Sequence, residues 1–144
     1  MIFIDTTVLV YAVGADHHYK RTSLEVLDLV SSDRLQATTT PEAIQEFAHV
    51  RARRHPRADS MRLAATFADL LGPLRCSEEE HLTKGLELWS RYESLGAFDA
   101  VLAAVALDSK YATLVSADNA FSQVAGLHHV LPDADGIADL IGPK

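Results

Sequence analysis

Asp5, Glu46, Asp99 and Asp118 are the residues of this sequence whose type and setting point to chemistry. Carboxylates are hard oxygen donors that suit Mg²⁺ or Mn²⁺ better than thiolate-loving metals. Gathered together, like charges of this kind are costly unless a cation compensates them. One or two such ions, ~4 Å apart, activate water, neutralise phosphate oxygens and stabilise a departing oxygen. The chemistry in question is metal-assisted hydrolysis of a phosphate ester, which needs no protein nucleophile. Whether these four acids meet depends on the elements that carry them.

Met1 to Ile4 is a continuously apolar run that ends at Asp5-Thr6-Thr7, as a parallel strand buried on both faces would read. Ala112 to Val115 and His129 to Leu131 repeat that pattern, and Leu35 to Thr38 and Leu74 to Cys76 are weaker versions of it. Between them, apolar residues three or four apart predict helices at Leu63, Phe67 and Leu70 and at Leu82, Leu86 and Trp89. Ser77 with Glu80 fits a capping box, and Thr39 with Glu42, or Thr40 followed by Pro41, opens the segment carrying Glu46. Gly72 and Gly96 stop the helices before them. Strands alternating with helices indicate a three-layer α/β domain around a mostly parallel sheet.

In such sheets ligands collect beyond the carboxyl ends of the strands. Asp5 directly follows the first strand and Asp118 lies just past Val115. A single Asp there is ordinarily a turn or cap residue, but two after separate buried strands are harder to dismiss. Asp99 stands at the start of an Ala- and Val-rich segment, where an acid is also favoured by the helix dipole alone. Glu42 is accounted for by the cap, whereas Glu46, one turn on between Ile44 and Phe47, has no local explanation and is the better ligand candidate.

Taken together, these pieces resemble the PIN-domain family, and within it the VapC-type toxins of bacterial toxin–antitoxin pairs. The resemblance rests on Ile4-Asp5-Thr6-Thr7-Val8-Leu9, Ala43-Ile44-Gln45-Glu46-Phe47, Gly96-Ala97-Phe98-Asp99-Ala100 and Val115-Ser116-Ala117-Asp118-Asn119, and it spans essentially the whole chain. It implies a central five-stranded parallel sheet and endoribonuclease activity dependent on Mg²⁺ or Mn²⁺, leaving a 5′-phosphate and a 3′-hydroxyl. It also implies Asp5, Glu46, Asp99 and Asp118 as metal ligands, with hydroxyls of Thr6 and Ser116 close by, and leaves roles for Thr7 and Asn119 open. Its expected partners are an RNA, with transfer and ribosomal RNA both suitable, a second copy of the chain, and a VapB-type antitoxin that places a basic side chain in the acidic pocket.

The 144 residues, 48% of them hydrophobic, read as one compact domain over 1–144 without linker, repeat or low-complexity tract. The longest apolar runs fall short of the ~20 residues that span a bilayer, and no basic-then-apolar leader opens the chain, so a cytoplasmic protein is expected. Cys76 is the sole cysteine, which excludes an internal disulfide and a multi-thiolate zinc site and makes it a candidate core residue. The net charge of −7 argues against a simple nucleic-acid binder. Setting the four acids aside, however, leaves 16 Asp and Glu against 13 Lys and Arg.

Arg51, Arg53, Arg54 and Arg57 with His55 form one dense basic stretch just beyond Glu46. It reads either as a solvated helix end or as an RNA contact, with Arg53 about two turns from Glu46 on a continuing helix. Four other functions compete. Glu46/His49 and Glu78/His81 suggest a di-iron site, but such sites require further glutamates on a bundle of long helices. Asp5 suggests an aspartyl-phosphate enzyme, but Thr7 stands where a phosphatase of that type has a second Asp. A PIN-type nuclease of RNA processing outside a toxin–antitoxin pair and a non-catalytic binding module on the same fold complete the set.

Overall fold

In the computed structural model, which describes residues 1–143, seven helices surround a four-stranded sheet. The strands are β1 (Ile2–Ile4), β2 (Ala37–Thr38), β3 (Thr113–Val115) and β4 (His128–Val130), ordered β2-β1-β3-β4 and all parallel. Helices α1 (Thr6–Val13) and α2 (Lys20–Ser31) lead from β1 to β2. Helices α3 (Pro41–Arg51), α4 (Arg57–Leu71), α5 (Glu79–Arg91) and α6 (Ala97–Leu107) lead from β2 to β3. A 3₁₀ turn at Asn119–Gln123 precedes β4, and α7 (Ala134–Ile141) follows it.

Alternation along the strands divides the core into two. Ile2, Ile4, Val115 and Val130 pack with apolar residues of α1, α2, α3, α4 and α7 on one face of the sheet. Phe3 and Leu114 pack with α6, Leu88 and the Phe121–Leu127 segment on the other. Strands buried on both faces therefore appear as unbroken apolar runs, as β1 does in the sequence.

Four strands form rather than five. The Leu74 to Cys76 segment runs beside β2, but its one ladder-like bond there is Arg75 N–H to Thr39 O at 2.9 Å, and Pro73 before it has no N–H to donate. Cys76 lies exposed there, not in the core. Ala112 takes a left-handed φ of 46°, so β3 begins only at Thr113. The cap of α5 also differs from expectation: His81 Nδ1 accepts from the Glu78 N–H at 2.8 Å, while Ser77 Oγ donates to Glu42 Oε1 at 2.7 Å. Thr40, not Thr39, caps α3, its Oγ1 accepting from Ala43 N–H at 3.2 Å, and Thr39 instead donates to Ile4 O at 2.6 Å.

The apolar stripe of α5 is not its buried side. Leu82, Leu86 and Trp89 are about half exposed, whereas Gly85 and Leu88 face α6. Helices α5 and α6 cross so closely that a Cβ on Gly85 would stand 2.7 Å from Val101 Cγ2 and 2.9 Å from Val101 Cα. The neighbour includes backbone and cannot simply rotate away. Gly85→Ala is therefore expected to destabilise the protein by about 1–3 kcal/mol through overpacking. Urea denaturation measures this, and an unchanged midpoint would show that the two helices part freely.

Candidate metal centre

The chain crosses from one side of β1 to the other after β2, so the topological switch point lies between β1 and β3, where α/β sheets open a crevice beyond their strand ends. Asp5 sits at this point, its N–H bonded to Val115 O at 2.9 Å. It also caps α1, where its carboxylate can accept first-turn N–H groups. Its Oδ2 accepts from Ser116 Oγ at 2.7 Å and from Thr7 Oγ1 at 2.9 Å. Asp5 is buried, and burial raises its carboxyl above the ordinary range against the hydrogen bonds from Ser116 and Thr7 that lower it.

Ser116 also accepts from Asp118 N–H at 3.0 Å, which fixes the turn after β3. Asp118 caps the 3₁₀ turn, its Oδ1 accepting from Ala120 N–H at 2.9 Å, and the other oxygen is left for the crevice. Glu46 projects from α3 at the open side, where its Oε2 and the Ala43 carbonyl, at 3.1 and 3.0 Å, share the single proton of Thr6 Oγ1. Glu42, the competing acid, is turned to Ser77.

Asp99 enters from the first turn of α6. Burial pushes its carboxyl up to about 7, and the negative charges of Asp5, Glu46 and Asp118 push in the same direction. Asp99 thus feels the charge of each of the other three candidates. Among the described residues no three His, Cys, Asp or Glu side chains stand as a ready-made cage for an ion. Thr6 hydrogen-bonds Glu46, and Ser116 hydrogen-bonds Asp5.

Two residues without an assigned role in the sequence also belong to this site. Thr7 bridges it, donating to Asp5 and accepting from Ala117 N–H at 3.0 Å. His129, two strands away, places Nε2 2.8 Å from Ser116 O and braces the same turn. A hydroxyl next to Asp5 was a visible signal for Thr7; nothing local marks His129.

The basic stretch is only partly available. Arg51 is held inside the fold, with Nη1 donating to Val13 O at 2.8 Å and Nε 3.1 Å from Asp59 Oδ2. Helix α3 ends at Arg51, so Arg53 and Arg54 lie exposed in the turn beyond it and not on the face of Glu46. Of the di-iron pairs, His81 is taken up by Glu78 N–H and by Asp108, 3.1 Å away.

The raised carboxyl of Asp99 has a signed consequence for the metal-free protein. Between the unfolded value of 3.8 and about 7 the native state holds a proton that the unfolded chain releases, so this residue makes stability fall as pH rises through that window. Asp99→Asn is expected to raise the melting temperature at pH 8 in chelator, with the gain shrinking as pH falls towards 4. Melting curves across that range check it; a gain equal at pH 4 and pH 8 would contradict it.

Comparison with known proteins shows the family and the fold. The PIN domain family matches residues 2–127. The chain is 43% identical to Ribonuclease VapC7 of Mycobacterium tuberculosis over the full length of both. It is 35% identical to Ribonuclease VapC23 of the same species over 69% of this chain and 78% of the relative. The solved structure of VapBC2 from Rickettsia felis, bound to a DNA fragment from their promoter, superposes with a TM-score of 0.69 at 19% identity, over 92% of this chain and 100% of the other. The fold and the family match agree, and the chain belongs to the PIN-domain family.

Proposed function

We propose that the chain is the toxin of a type II toxin–antitoxin system, an endoribonuclease that hydrolyses RNA phosphodiester bonds with Mg²⁺, or Mn²⁺ in its place. The observation that carries this reading is the placement of Asp5 and Asp118 about Ser116 at the switch point of the sheet, with Asp99 and Glu46 brought near from α6 and α3. Its support is full-length similarity to a protein named a VapC ribonuclease.

The donor set fits a hard divalent cation, since every ligand is oxygen and the strained protonation of Asp5 and Asp99 is what a cation would relieve. When bound, the ion would supply activation of water and neutralisation of phosphate charge. The protein contributes the placement. Ser116 and Thr7 fix the Asp5 carboxylate, Thr6 restrains Glu46, and the Ser116 turn holds Asp118. Similarity to a protein named a ribonuclease supports cleavage of RNA; the 5′-phosphate and 3′-hydroxyl ends, and transfer or ribosomal RNA as substrate, belong to the proposal.

Arg53 and Arg54 take phosphates away from the cleaved bond, whereas Arg51 shapes the fold. The VapBC2 structure supports a VapB-type antitoxin as partner; a toxin dimer within the hetero-oligomer is part of the proposal. No helix among the described residues is long and apolar enough to cross a membrane, in keeping with action in the cytoplasm.

Expressed in bacteria, the wild type should arrest growth and produce new RNA 5′ ends, while Asp5→Asn and Asp99→Asn should do neither. Equal toxicity without new ends in all three would defeat the nuclease reading. In purified protein, chelator should abolish cleavage and Mg²⁺ restore it. Arg53→Gln with Arg54→Gln should weaken RNA binding and flatten its salt dependence by about 0.7 in log–log slope per lost phosphate contact; an unchanged slope would remove these residues from the interface.

A further inference from the structure

The crevice has a second wall that the metal chemistry does not use. A groove of about 930 Å³ runs from Thr6, Glu46 and Asp99 to Leu82, Leu86 and Phe98. Phe98 is 86% exposed, the most exposed of the large apolar residues, and among the described residues no other ring packs on it. A phenyl group in that position contributes nothing to the core. Its placement is specific all the same, because it adjoins Asp99 in the first turn of α6 and consecutive Cα atoms are only 3.8 Å apart.

We propose that Phe98 is a base-stacking residue: with a scissile phosphate at the acids, the nucleobase beside it lies on the Phe98 ring, against the apolar side of Leu82 and Leu86. This rests on the nuclease reading above. With a cation held by the acids, a nucleotide complements the groove, its anionic phosphate meeting the cation at one end and the flat face of its base meeting the apolar side chains at the other. The groove is carboxylate-lined at Glu46 and Asp99 and apolar at Phe98, Leu82 and Leu86. A ring one residue from a cation-holding carboxylate, in the same groove, is within reach of a base beside the phosphate, and aromatic rings stack on any base because every base has a π-face. The base must leave its own stack to do so, which makes Phe98 a determinant of where the chain is cut as well as how fast.

A protein face, either a second copy or an antitoxin, is the competing occupant of exposed apolar surface, and the experiment separates the two. Cut sites are mapped with the wild type on total bacterial RNA. A synthetic oligonucleotide spanning the strongest site is then made intact and with each flanking nucleotide in turn abasic. Phe98→Ala should lower kcat/KM on the intact oligonucleotide about ten- to a hundredfold, and Phe98→Trp should keep most of the rate. At one flanking position the abasic oligonucleotide should be cut equally slowly by wild type and Phe98→Ala, since both lack the same contact.

Wild-type rates for Phe98→Ala on intact RNA, or a loss that persists with every abasic substrate, would overturn the proposal. Weakened self-association or antitoxin retention with unchanged cleavage would overturn it in favour of a protein face. Melting curves report whether each variant is folded, and Phe98→Trp tests the ring itself if Phe98→Ala is not. Cleavage by neither variant nor wild type would instead remove the nuclease reading beneath it.

Discussion

β1 and β3 lie in parallel register, Ile4 opposite Val115, and the position of every candidate ligand follows from that pairing. It seats Asp5 and Ser116 at adjacent strand ends, where the Ser116 hydroxyl reaches the Asp5 carboxylate and the next turn presents Asp118. Strand ends at a switch point diverge into turns that need not pack, so polar groups can gather there above a rigid apolar scaffold. Helices α3 and α6, laid on opposite faces of the same sheet, then bring Glu46 and Asp99 to the opening from either side.

That gathering works against stability. Burial and mutual repulsion hold Asp5 and Asp99 away from their ordinary ionisation, and the protein offsets part of this with hydroxyls rather than cations. Thr6, Thr7 and Ser116 each donate to a carboxylate of the site, and no arginine or lysine neutralises it among the described salt bridges. Hydroxyls fix geometry while leaving the negative charge in place, which suits a site awaiting a positively charged partner. The same arrangement turns the overall acidity from an objection to RNA binding into a local property of the crevice.

Exposed apolar surface is the second departure from what folding alone would favour. Leu82, Leu86, Trp89 and Phe98 lie open although α5 and α6 pack tightly through Gly85 and Val101 on their inner side. A helix whose apolar stripe faces outward has been shaped for contact beyond its own core. Its neighbourhood with the acids makes the groove two-sided, polar at one end and apolar at the other.

The sequence by itself determined the class of fold and singled out the candidate acids. Unbroken apolar runs mark doubly covered strands, and an acid just past each of two such runs made Asp5 and Asp118 candidates, although each also caps the turn or helix that follows. Tertiary structure decided what depends on distant neighbours. The Leu74–Cys76 segment lacks a ladder because strand formation requires a continuous partner, and Cys76 is consequently exposed. Arg51 is internal because Val13 and Asp59 happen to meet it. His129 supports Ser116 across β3 and β4, and α5 buries its glycine side while its leucines face out. Periodicity shows that a helix has an apolar stripe, but only the packing of the chain shows whether that stripe faces the core or the solvent.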